Sequence, residues 1–219
     1  MRSYYLAVAV WLAASGTAGA QTLAPVHPPR ADIEGAVGWH NLHEPTSVSG
    51  NDWLNAIVAG NVGVSVYWTE HLRTHLDFTI STEGRQYRGE VLVVNGRQTF
   101  SSSRLLIGPR SLAVGQQYQF FHNAWFHPHA GGGALFLFDR RTEEFNDVID
   151  YDPATSVAKV LRPARTDGPT TRTGVRPFAD VGFKAYLSRR AYFVQDTRLV
   201  VSSRTFDQVL FTFGFGVDF

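Results

Sequence analysis

Charged residues occupy alternate positions in several otherwise apolar stretches of this 219-residue chain. Asp180 and Lys184 are separated by an even number of positions, as are Asp196 and Arg198. Residues at even spacing in a β-strand point to the same face, so each pair would share one side of a sheet. A buried charge needs a partner of opposite sign. We therefore predict a buried ion-pair network with the members Glu34, Arg73, Asp77, Arg104, Asp180, Lys184, Asp196 and Arg198.

Two histidines, His127 and His129, would also share one strand face. Together with His75 or His40 they are candidate ligands for a divalent transition metal. The chain contains no cysteine to assist, and no spacing fixes a third ligand. We favour histidines that are hydrogen-bonded inside the protein, and we predict neither a metal nor another cofactor.

Serine residues are a further candidate for chemistry. Ser101, Ser102 and Ser103 are adjacent, and His122, His127 and His129 follow on a later segment. A serine nucleophile needs a histidine and a carboxylate in register with it. Nothing in the spacing aligns these serines with such a pair, so we predict no catalytic residues.

The elements that would position these residues are read best from the C-terminal segment, 207–219. Its apolar residues occupy every second position, and the residues between them are mostly small or polar, so the two sets would lie on opposite faces of a strand. An apolar outer face opposite a polar interior is typical of a transmembrane β-strand. The apolar set is Val209, Phe211, Phe213, Phe215, Val217 and Phe219.

The same alternation recurs along the chain and predicts an all-β fold. We expect an eight-stranded antiparallel up-and-down transmembrane β-barrel that occupies residues 31–219. Asn95-Gly96 is a hairpin-turn signal, and 90–94 is too short to span a membrane, because a barrel strand needs about 9–11 residues. The predicted barrel strands are 32–43, 54–68, 72–81, 98–107, 116–138, 175–187, 191–201 and 207–219.

The predicted connections alternate in length. Three of those on one side are long, at 44–52, 83–97 and 139–174, whereas those on the other side are mostly tight turns. Among the latter, 108–115 is expected to turn the chain back. Outer-membrane barrels place long loops outside the cell and short turns in the periplasm. We therefore expect both ends of the barrel chain on the periplasmic side.

The N-terminal segment resembles an export signal. A positive start at Arg2 precedes an apolar run at 6–14, and Ala18-Gly19-Ala20 supplies small residues for cleavage. The run is shorter than the roughly 18 residues that a membrane-spanning helix requires. We predict a cleaved signal peptide at 1–20 and a proline-rich periplasmic leader at 21–30.

Composition excludes some partners. Removal of residues 1–20 takes away one of the 20 basic residues and leaves 19 basic and 19 acidic residues. A nucleic-acid partner needs a basic surface, so none is expected. A soluble lipocalin-like barrel is the alternative with reversed polarity, but the terminal phenylalanine series and the loop asymmetry favour the membrane barrel.

The chain resembles the small eight-stranded outer-membrane barrels, which include OmpX, the OmpA membrane domain and OmpW. The resemblance rests on the N-terminal signal, the terminal Val209-to-Phe219 series, Gly108-Pro109-Arg110, and the Gly182-x-Lys-x-Tyr to Asp196-x-Arg pairing. It implies a bacterial outer-membrane location among membrane lipid and lipopolysaccharide. It also implies assembly with periplasmic chaperones and the barrel-assembly machinery, with Phe211, Phe213, Phe215, Val217 and Phe219 as the assembly signal.

Several functions suit such a barrel. An eight-stranded barrel is just wide enough to be filled by its own side chains, so we predict a lumen plugged by the paired charges and a structural or surface-interaction role for a monomer. A narrow channel for small or hydrophobic solutes and a lipid A-modifying enzyme are the alternatives. Deacylases of the latter kind carry a His-x-Ser-Asn pattern, whereas this chain has His122-Asn123 and His127-Pro128-His129. The arginines of 139–174 are a further hypothetical contact with lipopolysaccharide phosphates or another surface.

Overall fold

A computed structural model describes residues 29–44, 52–94, 97–120, 125–152, 157–202 and 206–219, and these residues form an all-β protein. The predicted signal peptide and the leader up to residue 28 lie outside the described residues. Within the described part there is no helix of the length and apolar character needed to cross a membrane. The strands are β1 (Ala31–His43), β2 (Trp53–Tyr67), β3 (Leu72–Ser81), β4 (Gly84–Val94), β5 (Arg97–Gly108), β6 (Arg110–Gln119), β7 (Phe126–Phe145), β8 (Val148–Asp152), β9 (Val157–Arg162), β10 (Arg165–Tyr186), β11 (Ala191–Val201) and β12 (Phe206–Asp218).

Eight of these strands close into an antiparallel barrel in the order β1, β2, β3, β6, β7, β10, β11 and β12. Closure is made by β12 and β1, which pair from Asp32↔Asp218 to Leu42↔Gln208. A closed barrel leaves no open sheet edge in its wall. The predicted eight-stranded antiparallel barrel is confirmed.

The two ends of the barrel differ. At the terminal end, the Arg30 N–H donates a hydrogen bond to the Phe219 carbonyl (2.9 Å), and the strands are joined by the short connections 68–71, 120–125 and 187–190. At the loop end lie the long connections 44–52, 82–109 and 146–164, two of which contain strands of their own, and the short connection 202–205. We use the names terminal end and loop end below.

The outer wall of the barrel is an exposed apolar belt, because every second residue of each barrel strand points away from the lumen. In the middle of the belt Val37 is 53%, Val62 58% and Phe215 63% exposed. From Val58 to Trp68 the belt on β2 rises about 25 Å along the barrel axis at a tilt of about 40°. That height matches the hydrocarbon thickness that transmembrane barrels cover.

The fourth and fifth predicted strands need correction. Residues 98–107 belong to β5, which forms a hairpin with β4 at the loop end, and the barrel strand is β6, whose residues 110–115 were predicted as a turn. Pro109 separates β5 from β6, a place where its missing N–H costs no ladder hydrogen bond. The segment predicted as one strand at 116–138 therefore contains the end of β6, the connection at 120–125 and most of β7.

The segment 139–174, which we expected to be irregular, is also largely ordered. β7 continues to Phe145 and β10 begins at Arg165, and the two strands remain paired as far as Arg165↔Phe145. Between them β8 and β9 form a separate hairpin. These strands extend beyond the belt because main-chain pairing continues where the side chains become polar on both faces.

The β4–β5 hairpin is attached to the barrel in two ways. β5 pairs with the extended part of β7 from Ser103↔Phe145 to Gly108↔Arg140. Buried apolar side chains of the hairpin and of the barrel mouth also form one cluster, and burial of each such side chain contributes roughly 1.5–3 kcal/mol. The cluster consists of Leu42, Leu54, Ile57, Leu105 and Ile107.

Candidate functional site in the barrel lumen

The lumen near the terminal end holds an ion-pair group centred on Asp32. Its carboxylate accepts hydrogen bonds from Arg73 Nη1 (2.9 Å), Lys184 Nζ (2.6 Å) and the Tyr67 hydroxyl (2.8 Å). The side chains of Asp32 and Lys184 are completely buried. Arg73 donates a further bond from Nε to Gln117 Oε1 (2.7 Å). Five barrel strands are therefore connected across the lumen, because these residues come from β1, β2, β3, β6 and β10.

Aromatic side chains enclose the Lys184 ammonium. Nζ lies 3.8 Å from the centroid of the Tyr192 ring, a cation–π distance, and 3.6 Å from Asp218 Oδ1. Tyr186 in turn donates its hydroxyl proton to the other oxygen of Asp218. This cation thus has two carboxylates and an aromatic ring in contact with it.

A second group lies in the middle of the lumen around Asp180 and Asp77. Gln117 Nε2 donates to Asp180 Oδ2 (2.8 Å), which also lies 3.4 Å from His75 Nε2. The same His75 nitrogen is 3.6 Å from Asp77 Oδ2, which accepts a hydrogen bond from Arg198. The two groups form one continuous network, since Gln117 contacts both.

Glycine makes room for a third pair. His129 Nε2 and Asp196 Oδ1 are 2.6 Å apart, on β7 and β11, with Gly182 of β10 between them. A Cβ atom at position 182 would lie 2.5 Å from Asp196 Oδ1 and 2.9 Å from His129 Nε2. Glu34 lies nearby and accepts a hydrogen bond from the Tyr192 hydroxyl (3.4 Å).

Carboxyl groups outnumber permanent cations among the described lumen residues. Six acids, of which Asp180 is only 2% exposed, share the space with three lysine or arginine side chains. An acidic, low-dielectric interior disfavours entry of anions. The acids are Asp32, Glu34, Asp77, Asp180, Asp196 and Asp218, and the cations are Arg73, Lys184 and Arg198.

Above the charged groups, towards the loop end, one side of the lumen becomes apolar. Phe178, Leu135, Val200 and Ala113 are buried there in one cluster. The Arg198 guanidinium lies 4.8 Å from the centroid of the Phe178 ring, so the apolar layer rests directly on the charged one.

A cavity of about 500 Å³ opens at the barrel mouth beyond this layer. Leu42, Ile107 and Leu137 contribute apolar atoms to its lining, and most of the remainder is charged or polar. At its side Glu44 accepts two hydrogen bonds from Arg141 (2.9 and 2.8 Å) and one from Arg88 (3.3 Å). Its volume is that of a small-molecule pocket.

The residues predicted as the charge network divide into two sets. The prediction is wrong for Arg104, which lies on β5 in the hairpin. There it pairs with Glu144, and its side chain is 38% exposed. It is outside the lumen because 98–107 is not a barrel strand. The other seven lie in the lumen: Glu34, Arg73, Asp77, Asp180, Lys184, Asp196 and Arg198.

Other lumen residues were not predicted as members of the charge network. Asp32, Tyr67, Tyr192 and Asp218 follow the same alternation and could have been found from it, since each lies next to an outward apolar residue. Gln117 also lies on an inward face, but its link between the two charge groups has no sequence signal because it depends on strand order.

The remaining histidines make hydrogen bonds and ring contacts. His40 Nδ1 and Nε2 lie 3.0 Å from Ser81 Oγ and 3.1 Å from Gln208 Oε1. The His127 ring lies 4.9 Å from that of Tyr186. In the part of the chain that the structure describes, no three potential ligands converge as a metal site would require.

Of the residues considered for serine catalysis, His122 lies outside the described residues, and Ser103 lies far from His129. Ser103 is on β5 opposite Phe145, sixteen residues along β7 from His129, and its hydroxyl donates to Glu143 (3.0 Å). The predicted assembly residues lie on the outward face of β12 and at its end: Phe211, Phe213, Phe215, Val217 and Phe219.

Comparison with known proteins identifies the fold. No family model matches the sequence, and no curated protein sequence matches it significantly. Among solved structures, it is similar to the N-terminal β-barrel domain of Pseudomonas aeruginosa OprF (TM-score 0.51, 9% identity, 88% of this chain and 100% of that chain covered). It is also similar to the attachment invasion locus protein Ail of Yersinia pestis (TM-score 0.50, 9% identity, 88% and 100% covered). The protein thus has the fold of the small eight-stranded outer-membrane barrels.

Proposed function

We propose that this protein is an integral protein of the bacterial outer membrane, in which a plugged barrel serves as an anchor and the loop-end hairpins as a contact surface. The exposed apolar belt supports the membrane location, because such a surface is stable in lipid and not in water. The observation that carries the proposal is the continuous network of Asp32, Arg73, Gln117, Asp180 and their partners. It connects side chains from opposite walls and so fills the narrow lumen.

Conductance in planar bilayers tests the plugged lumen. We expect the folded protein to produce no current steps, because the charged network and the apolar layer around Phe178 obstruct the path one above the other. The double variant F178A/L135A removes the bulk of the apolar layer and serves as the control for sensitivity to small leaks. Stable current steps from the unaltered protein would contradict a plugged anchor.

The orientation of the barrel is tested separately. An epitope inserted between Asn95 and Gly96, in the connection of β4 and β5, should bind antibody on intact cells. The same epitope inserted between Arg189 and Arg190, in a terminal-end turn, should bind antibody only after the outer membrane is permeabilised. The reverse pattern would exclude the hairpins as a cell-surface contact.

A narrow channel is the second candidate, and the cavity at the mouth favours it. If the apolar layer around Phe178 opens, the path continues past six carboxyl groups and three permanent cations. Such a channel would select for cations, because the acidic lumen repels anions. Reversal-potential measurements in a salt gradient distinguish this candidate from a non-selective leak.

A further inference from the structure

Four arginines lie on the outer wall of the protein directly above the apolar belt. Arg110 begins β6, Arg140 continues β7 past Phe138, and Arg85 and Arg104 lie on the hairpin strands β4 and β5. Arg85, Arg110 and Arg140 are exposed, and Arg104 is partly exposed. We call this set the arginine patch.

Strand alternation sets the outward direction of the patch. Arg110 shares its face of β6 with exposed Val114 and Tyr118, whereas the next residue, Ser111, points into the lumen and is buried. Arg140 shares its face of β7 with Phe136 and Phe138 of the belt. The arginine patch therefore continues the lipid-facing side of the wall.

Strand register places two of these arginines, Arg110 and Arg140, close together. Ser111 pairs with Leu137, so Arg110 lies beside Phe138. Arg140 is therefore the diagonal neighbour of Arg110, at about 7–8 Å between their Cα atoms. Arg110 also pairs with Ile80, the last apolar belt residue of β3. The guanidinium groups thus begin at the level where the apolar side chains end.

Carboxylates on the same face do not balance the patch. Glu144 pairs with Arg104, and the Glu83 side chain comes near Gly108, next to Arg140. Four guanidinium groups therefore face two carboxylates among the described residues. The excess positive charge lies at the boundary between hydrocarbon and water.

We infer that the arginine patch binds the phosphorylated headgroups of the lipid leaflet that surrounds the loop end, which in an outer membrane is lipopolysaccharide. Guanidinium groups bind phosphate oxygens in pairs of parallel hydrogen bonds. The belt below the patch would contact the acyl chains of the same lipid molecules. This inference rests on the proposed outer-membrane location and adds a lipid-specific contact to it.

Binding of lipid A to the full chain, folded in uncharged detergent, tests the inference. The variant R110Q/R140Q removes two patch charges, and R189Q/R190Q removes two exposed charges at the terminal end as the matched control. Each arginine near a membrane surface contributes about 1 kcal/mol, so we expect R110Q/R140Q to bind lipid A at least tenfold more weakly. The control should change the affinity by less than about twofold.

Two further probes identify the ligand chemistry. Lipid A from which the phosphates have been removed should bind the unaltered protein and R110Q/R140Q equally weakly, and inorganic phosphate should not displace lipid A at equal concentration. Equal losses in both double variants, or full displacement by inorganic phosphate, would overturn the inference. Heat-modifiable gel migration of each variant reports barrel formation independently, so a missing barrel would contradict the proposed function and not only the lipid contact.

Discussion

Lys184 shows how a single buried side chain can determine the stability of the barrel. Its ammonium contacts Asp32, Asp218 and Tyr67 and has no exposed surface. Loss of one partner from a buried ion pair leaves an uncompensated charge, which typically costs 3–5 kcal/mol. This cost exceeds the loss of the contacts themselves.

We predict that K184M lowers the free energy of unfolding by about 3–5 kcal/mol. Methionine keeps most of the volume, so packing changes little. Urea unfolding in lipid vesicles, followed by tryptophan fluorescence, gives the value. The matched control is K159M, because Lys159 is exposed on β9. A similar small change in both variants would show that the lumen network does not stabilise the barrel.

At the residue scale, part of the lumen network was predictable from the sequence. Asp180, Lys184, Asp196 and Arg198 lie on strands whose alternation is clean, so their inward direction followed from spacing alone. Arg104 was misplaced because the weak pattern of 98–107 does not distinguish a barrel strand from a strand of a hairpin outside the barrel. The pairing partners depend on strand order and register, which residue spacing does not specify.

At the element scale, the β4–β5 hairpin is held against the barrel by Glu44, Arg88 and Arg141. These three side chains are mostly shielded from solvent, and the Glu44 carboxylate accepts hydrogen bonds from the guanidinium groups of both arginines. Charge-assisted hydrogen bonds in such places contribute about 1.5–3 kcal/mol each. Glu44 therefore determines how firmly the hairpin stays on the mouth.

We expect E44A to increase amide hydrogen exchange in β4 and the upper part of β5, by roughly tenfold or more if about 1.5 kcal/mol is lost. The barrel strands should keep their protection. D167A is the comparison, since Asp167 pairs with Arg165 at the surface and such pairs contribute little. Unchanged exchange in the hairpin after E44A would show that the ion pairs of Glu44 with Arg88 and Arg141 do not hold the hairpin on the barrel.

The elements were predictable where the belt imposes alternation, and less so above it. β11 matches its predicted range, whereas β6 was read as a turn because Gly108 and Pro109 precede it. The upper parts of β7 and β10 are polar on both faces, so they carry no periodic signal. Their order comes from pairing with each other, a long-range effect that sequence pattern does not report.

At the scale of the whole molecule, exposed valines occur both in the apolar belt and on the hairpin that projects from it. Val62 lies in the middle of the belt and is 58% exposed, whereas Val93 lies on the β4–β5 hairpin and is 68% exposed. Accessibility alone does not distinguish these two positions. Their surroundings distinguish them, because a belt in the membrane contacts hydrocarbon whereas the hairpin contacts water.

We predict that V62R costs about 2–4 kcal/mol of barrel stability in lipid vesicles, as expected for an arginine at the bilayer midplane. V93R should change the stability by less than about 0.5 kcal/mol, as a surface substitution in water does. The measurement is equilibrium unfolding in vesicles for both variants. Equal costs would mean that the belt is not the membrane-spanning part.

The continuity of β7 and β10 has a mechanical consequence. These two strands run from the terminal end to Phe145 and Arg165 with one shift of register between Asp167 and Thr170, and the β4–β5 hairpin is bonded to β7 along its upper part. No flexible linker intervenes on this side between the wall and the projecting sheet. A pull on that sheet would be transmitted along the same backbone and hydrogen-bond ladder into the bilayer-embedded wall, so a molecule bound at the tip would be held at a fixed height and orientation.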